Sequence, residues 1–279
     1  MLLNIPGIIL VVLNVIITYM GFKDRKLFER HAFDVDDILM RREYHRMLTS
    51  GFFHVSWNHL IFNMISLYLF SDSLVLYAGY AGYFLIYFGS LLGGNLLALW
   101  MHRNHGDYRA VGASGAISGL IFATVLFSPG ILIGFYFIPP IIPGWIYGAA
   151  YVLYSIYGIR SKRDNIGHEA HLGGLITGMV LALCLDTTLF ARNYTVLVTT
   201  LLPALIFLYL VYKYPHFSHK VTIDLPPADP TRNYTVEDRY NTERLKKQQK
   251  LDQILEKIQR KGLDSLSKEE KAFLDNNSR

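Results

Sequence analysis

The chain has 279 residues, 52% of them hydrophobic and 18% charged, with 27 Lys and Arg against 22 Asp and Glu for a net charge of +5. Soluble domains carry about a quarter charged residues, and here the apolar residues gather in blocks instead of recurring at strand or helix period. A soluble globular fold is excluded, and with Cys184 as the single cysteine so is an intrachain disulfide.

Apolar blocks approaching the ~20 residues that cross a bilayer fall at 4–21, 57–72, 82–101, 112–128, 144–159, 168–185 and 195–212. They predict an all-α polytopic membrane protein with seven spans over residues 1–212. The first block has no basic residue before it and no small-residue cleavage site after it, so it reads as a retained helix and not a signal peptide. Residues 22–56 form a long loop rich in charge and aromatics, too amphipathic for a linker and expected to lie in the interface plane. The stretch from Ile138 to Gly144 contains Pro139, Pro140 and Pro143. It cannot continue a helix and separates the fourth span from the fifth. Cys184, inside the sixth block, is expected to be a small buried apolar residue.

After Tyr212 the composition changes. Residues 213–241, with Pro226, Pro227 and Pro230, read as an extended linker. From Thr242, Leu245, Leu251, Ile254, Leu255 and Ile258 recur at helical spacing and Gly262 supplies a stop. Ser267-Lys268-Glu269-Glu270 is a capping-box pattern leading into Ala272, Phe273 and Leu274. Residues 242–279 are therefore expected to form a small two-helix appendage with a solvated charged face.

Three short polar stretches open spanning blocks: His59-Leu60-Ile61-Phe62-Asn63, Gly112-Ala113-Ser114-Gly115 and Ala170-His171-Leu172-Gly173-Gly174. Such groups are costly in hydrocarbon unless they meet one another, so they mark a functional site. The second, fourth and sixth spans run in one direction, which sets His59, Asn63, Ser114 and His171 at one depth. The fourth span, about 16 residues or ~24 Å long, is shorter than a ~30 Å hydrocarbon core, so its start lies below the near surface in a water-filled dent. A serine hydroxyl becomes a nucleophile when a base takes its proton, and neutral imidazole suits that task. Ser114 and His171 form the expected pair. The start of the fourth helix, with Gly112 and Ala113, offers N–H donors to a developing oxyanion, and His59 and Asn63 add side-chain donors. Gly115 and Gly119, and Gly174 and Gly178, have the small-xxx-small spacing that lets two helices approach closely.

These motifs, HxxxN (His59, Asn63), GxSG (Gly112 to Gly115) and AHxxGxxxG (Ala170, His171, Gly174, Gly178), resemble the rhomboid family of intramembrane serine proteases over about residues 40–186. The resemblance implies Ser114 as nucleophile, His171 as general base and His59 with Asn63 as the oxyanion-binding pair. It implies neither cofactor nor metal, with transmembrane helices of membrane proteins as substrates, the lipid bilayer as partner and no nucleic acid. It also implies the inner (cytoplasmic) membrane of a bacterium. The seventh span resembles the six-plus-one arrangement of part of the family, and the tail resembles a C-terminal module of some Bacteroidetes-type members. Two positions depart from the pattern: the Trp-Arg of the family's first loop stands here as His45-Arg46, and Ser118 stands where an aromatic residue often packs on the histidine.

Three other readings fit the residues less well. His168-Glu169-Ala170-His171 invites a zinc reading, but its histidines are three apart and not four, and a third ligand in register is lacking. A catalytically inactive rhomboid-like binder or chaperone of membrane helices would typically lose the serine or histidine that this chain keeps. A channel or transporter would place its polar groups at mid-membrane, not at one end. Sidedness divides two arguments. The first loop holds seven Lys and Arg, the third-to-fourth loop two, the fifth-to-sixth loop three and the tail fourteen, against Arg192 alone on the opposite side. The positive-inside rule would make the serine's side cytoplasmic, whereas the resemblance sets it outside.

Overall fold

The computed structural model describes residues 4–135, 138–161, 166–214, 254, 257–258 and 266–275. The chain divides into two units, Met1–Leu225 and Pro226–Arg279. In the first, α1 (Ile5–Lys23), α2 (Arg25–His31), α3 (Val35–Leu39) and α4 (Arg46–Thr49) precede the 46-residue α5 (Trp57–His102). Then follow α6 (Ser114–Phe127), α7 (Gly144–Ser161), α8 (His168–Leu185), α9 (Leu189–Arg192) and a last apolar helical run over Tyr194–Lys213. By length and apolarity α1, α5, α8 and the last run can cross a membrane. Large apolar side chains such as Ile8, Val12 and Ile16 on α1 and Leu205 and Tyr209 on the last run face outward, as helices in lipid require.

The two predicted spans 57–72 and 82–101 are legs of α5, which reverses at Gly79. The hydroxyls of Ser71 and Tyr83 lie 2.7 Å apart. In an unbroken helix twelve residues span ~18 Å, so the legs must fold back on each other. Gly79 adopts φ 67°, ψ 179°, a conformation open only to glycine, and a Cβ there would meet nothing within 4 Å. Backbone geometry alone requires the glycine.

At the centre lies α6, buried from Gly115 to Phe127 and enclosed by α5, α7 and α8. Its 14 residues reach only ~21 Å, because Gly112 and Ala113 stay outside the helix and Ser114 is its first residue. Close approach of α6 to α8 is built on glycine. A Cβ on Gly174 would land on the carbonyl oxygen of Gly115, and one on Gly178 would land on that of Gly119. A Cβ on Gly119 would in turn strike Ser90, and one on Gly115 would sit 3.1 Å from the Ala170 carbonyl oxygen. Cys184 corrects an expectation: it is exposed, not buried. An apolar residue on a membrane helix can face lipid as readily as core, so its apolarity did not fix its side.

The first loop is a folded layer. Its small core of Phe33, Val35, Ile38 and Met47 packs on Ala98 of α5, and Phe33–Asp34 pairs antiparallel with Arg109–Ala110, with an Arg109–Asp34 ion pair alongside. Arg46 is the knot. Buried, it reaches Asp37 Oδ2 and Glu43 Oε2 at 2.7 Å and donates to the Glu29 and Ala32 carbonyls at 2.7 and 2.8 Å. Its hydrogen bond to Glu43 holds that carboxyl below its usual range. The Arg of His45-Arg46 thus anchors the loop without a tryptophan beside it. Arg46→Ala is expected to cost about 1–3 kcal/mol by leaving the Glu29 and Ala32 carbonyls without their donor, while Asp37 keeps Arg41, and Arg46→Lys, lacking the fork, an intermediate amount. Thermal unfolding in detergent checks this; a loss below about 1 kcal/mol for Arg46→Ala would contradict it.

The proline-rich stretch forms a strand. Ile138–Pro143 pairs antiparallel with Leu132–Phe135, with Leu132 opposite Pro143 and Ile133 opposite Ile142. It ends the helical path as expected, through a ribbon that the all-α reading did not include. In the second unit, Ser267 and Glu270 form the predicted capping box, with Glu270 N–H to Ser267 Oγ at 3.2 Å and Ser267 N–H to Glu270 Oε2 at 2.7 Å, opening the helix Lys268–Asp275. The linker beyond Tyr214 and most of the helix predicted from Thr242 lie outside the described residues.

Candidate active site

Ser114 and His171 meet at the starts of α6 and α8. The Ser114 Oγ lies 2.7 Å from His171 Nε2, within direct proton-transfer reach. Glu169, two residues before His171, turns to His102 Nε2 at 3.2 Å. His102 in turn stacks on Tyr108 with ring centroids 3.7 Å apart, so the carboxylate ties the end of α5 to the start of α8.

His59 approaches the same point from α5. Ser56 caps that helix, accepting the His59 N–H at 3.2 Å. Gly112, at φ 132°, lies beneath the His59 ring; a Cβ there would sit 3.0 Å from His59 Nε2 and 3.8 Å from Ser114 Oγ. A side chain at 112 would therefore fill the space between these two groups. Asn63, a turn after His59, gives one amide hydrogen to the His59 carbonyl at 2.9 Å, leaving its second N–H as the available donor.

The expectation that Gly112 and Ala113 serve as oxyanion donors is corrected. The Gly112 N–H donates to the Ser50 carbonyl at 3.0 Å, and the Ala113 N–H faces His54 Nε2 at 3.5 Å. Both amides hold the turn that carries Ser114. Gly112 contributes room for His59 and Ala113 an attachment. Ser50 is itself fixed by Asn95, whose Nδ2 lies 3.2 Å from Ser50 Oγ and 2.7 Å from the Met47 carbonyl.

Ser50 and His54 escaped the sequence reading. His54 is fully buried. Its Nδ1 lies 2.9 Å from Thr18 Oγ1, and that hydroxyl donates to the Phe52 carbonyl at 3.0 Å. Having given its only hydrogen to Phe52, Thr18 accepts from His54, so Nδ1 carries the proton and Nε2 presents its lone pair to Ala113. Burial, with His59 next, pushes His54 down to about 3. The signal available in sequence was its place five residues before His59, at the foot of the same helix.

This burial carries a pH signature. The folded pKa lies below the unfolded value of about 6.5, so the unfolded chain binds the extra proton. The site's contribution is present above about pH 6.5 and is lost as pH falls toward 3, at up to about 1.4 kcal/mol per pH unit. Comparing wild type with His54→Gln by thermal unfolding at about pH 7 and about pH 5, wild type is expected to lose more stability than the variant. Equal losses would contradict a buried neutral His54.

His171 lies beside Tyr151 of α7, with ring centroids 6.3 Å apart and planes at 26°. Tyr151 OH lies 2.9 Å from Ser118 Oγ. Position 118 thus carries a hydroxyl, and a ring beside His171 belongs to a neighbouring helix. His168 lies on the other side, its ring 6.1 Å from that of His171. Among the described residues no cluster of His, Cys, Asp and Glu could hold a metal ion.

Comparison with known proteins gives these positions a context. Residues 41–187 match the rhomboid domain, and residues 234–279 match a family of unknown function. The mitochondrial RHOMBOID-like protein 12 of Arabidopsis thaliana is 25% identical over 183 residues, 60% of this chain and 54% of the relative. The mitochondrial Rhomboid protein 1 of Saccharomyces cerevisiae is 30% identical over 139 residues, 48% of this chain and 40% of its own length. YdcA of Bacillus subtilis is 34% identical over 147 residues, 52% of this chain and 69% of YdcA. The chain thus spans about half the length of the first two. With mitochondrial proteins among the relatives, the comparisons do not support the expected bacterial inner membrane. They and the apolar helices do establish an integral membrane protein, and with the rhomboid domain over more than half its length the chain belongs to the rhomboid family of intramembrane-protease-like proteins.

Proposed function

We propose that this chain is an active intramembrane serine endopeptidase that cuts transmembrane helices of other membrane proteins. The observation that carries the reading is the 2.7 Å contact between Ser114 Oγ and His171 Nε2 at the starts of two closely packed helices. His171 takes the proton as Ser114 attacks the scissile carbonyl, then delivers it to the leaving amine, and water releases the acyl group by the same path reversed. As the carbonyl oxygen becomes an oxyanion it meets the Ser114 N–H at the positive end of α6, His59 Nε2 and the second Asn63 N–H. The retained serine and histidine favour this over a catalytically inactive binder.

The oxyanion roles have a graded test. Asn63→Ala and His59→Ala are each expected to lower kcat by about 10²–10³, whereas loss of the nucleophile is total. Cleavage at the wild-type rate by both variants would make those residues packing only. On the substrate side, a helix hides its carbonyls in hydrogen bonds and must unwind before Ser114 can attack. The expected substrate therefore has a small residue at the cut and a helix-weakening Gly or Pro nearby, and replacing the latter by Leu slows cleavage. An unchanged rate across a panel of such substrates would refute this.

A further inference from the structure

The two members of the dyad are held in different ways. Ser114 is fixed by α6, with the amides before it held by Ser50 and His54. The imidazole of His171 hangs on two rotatable bonds, and the carboxylate nearest along α8, Glu169, is turned to His102. Among the described residues no hydrogen bond other than that to Ser114 orients the ring, which leaves the task to packing.

Two rings supply the packing. His168 meets His171 edge-on at 72°, and Tyr151 lies alongside at 26°. His168 shares α8 with His171 and moves with it, whereas Tyr151 comes from α7 and is itself tied down. Its hydroxyl lies 2.9 Å from Ser118 Oγ, and its ring packs against Phe122 at 5.1 Å and Tyr147 at 5.8 Å. Ser118 and Phe122 stand one and two turns after Ser114 on α6, on the same helical face. The helix that carries the nucleophile thus also sets the tyrosine.

We propose that Tyr151 is a positioning residue for His171, a ring lent by α7 and locked by Ser118 so that one face of α6 fixes both partners of the dyad. This rests on the reading of Ser114 and His171 as a catalytic pair. Tyr151 does not touch the reacting atoms; its effect passes through the direction of the imidazole. A misaligned base slows proton transfer and leaves substrate binding alone, so the loss falls on kcat. Because the ring belongs to α7, the alignment of the base holds only while α7 is seated against α6.

The test uses the full chain in detergent with a fluorogenic transmembrane substrate, and counts competent enzyme by fluorophosphonate titration to completion so that misfolded protein drops out. Tyr151→Leu is expected to lower kcat by about 10–100-fold with KM within about twofold of wild type, the size expected of a sub-ångström to ångström misplacement. Tyr151→Phe and Ser118→Ala, which keep the ring and lose the bond, are expected to fall by about 3–10-fold each, and the double variant no further, since both remove the same contact. A normalised kcat at the wild-type value in Tyr151→Leu, or losses in Tyr151→Phe and Ser118→Ala that multiply, would overturn the proposal. Should Tyr151→Leu fail to fold, the conservative pair alone decides through its non-additivity. Ser114→Ala run in parallel separates the two levels: cleavage there would remove the dyad itself, whereas an inactive Ser114→Ala beside a fully active Tyr151→Leu would remove only the role of Tyr151.

Discussion

Purified Ser114→Ala and His171→Ala are each expected to lose cleavage of a transmembrane substrate by at least about 10⁴-fold in kcat, and the double variant to be no worse than either single. The two side chains act as one unit: without the imidazole, the hydroxyl keeps its proton, and without the hydroxyl there is nothing to activate. Neither change should unfold the protein. Both residues sit at helix starts, and each truncation removes one hydrogen bond, the 2.7 Å contact between them, worth about 1 kcal/mol of stability. A thermal melt in detergent near wild type alongside absent turnover is the expected pair of readings. Turnover above about a tenth of wild type in Ser114→Ala would remove the dyad.

The second large effect is expected at a residue with no functional group of its own, one turn after His171 on α8. Gly174→Ala adds one methyl at a position where a Cβ lands on the Gly115 carbonyl oxygen. Backbone cannot rotate out of the way as a side chain can, so α8 must move off α6. A displacement of about 1 Å at the reacting atoms can cost ~10² in rate, and Gly174→Val should cost more. Gly130→Ala is the control, because a Cβ there meets nothing within 4 Å. Activity assays and thermal unfolding of the three variants check this. Full activity in Gly174→Val would mean that the helices do not need this approach.

The residues that reveal the chemistry were legible because hydrocarbon makes them conspicuous: a serine and a histidine at the starts of parallel apolar helices have few reasons to be there. Glycine spacing likewise gave the faces of α6 and α8 that meet. What escaped were partners distant along the chain and without local pattern. Ser50 and His54 hold the amides at Gly112 and Ala113, which diverts two expected oxyanion donors into structure. Tyr151 could not be paired with Ser118 from spacing, since which face of α7 turns inward depends on packing. Arg46 is a further case. In sequence it stood only in a pair, His45-Arg46, that departs from the family's pattern, while its burial among Asp37, Glu43 and two carbonyls made it the centre of the loop. Cys184 illustrates the general difficulty, because in lipid an apolar residue carries no information about inside and outside.

The central claim, that Ser114 is a nucleophile activated by His171, is tested most directly by labelling the full chain with a serine-directed fluorophosphonate and mapping the adduct by peptide mass spectrometry. A single adduct on Ser114 is expected in wild type, absent in Ser114→Ala and formed far more slowly in His171→Ala. An adduct on another serine, or labelling of Ser114 at the same rate without His171, would contradict the account.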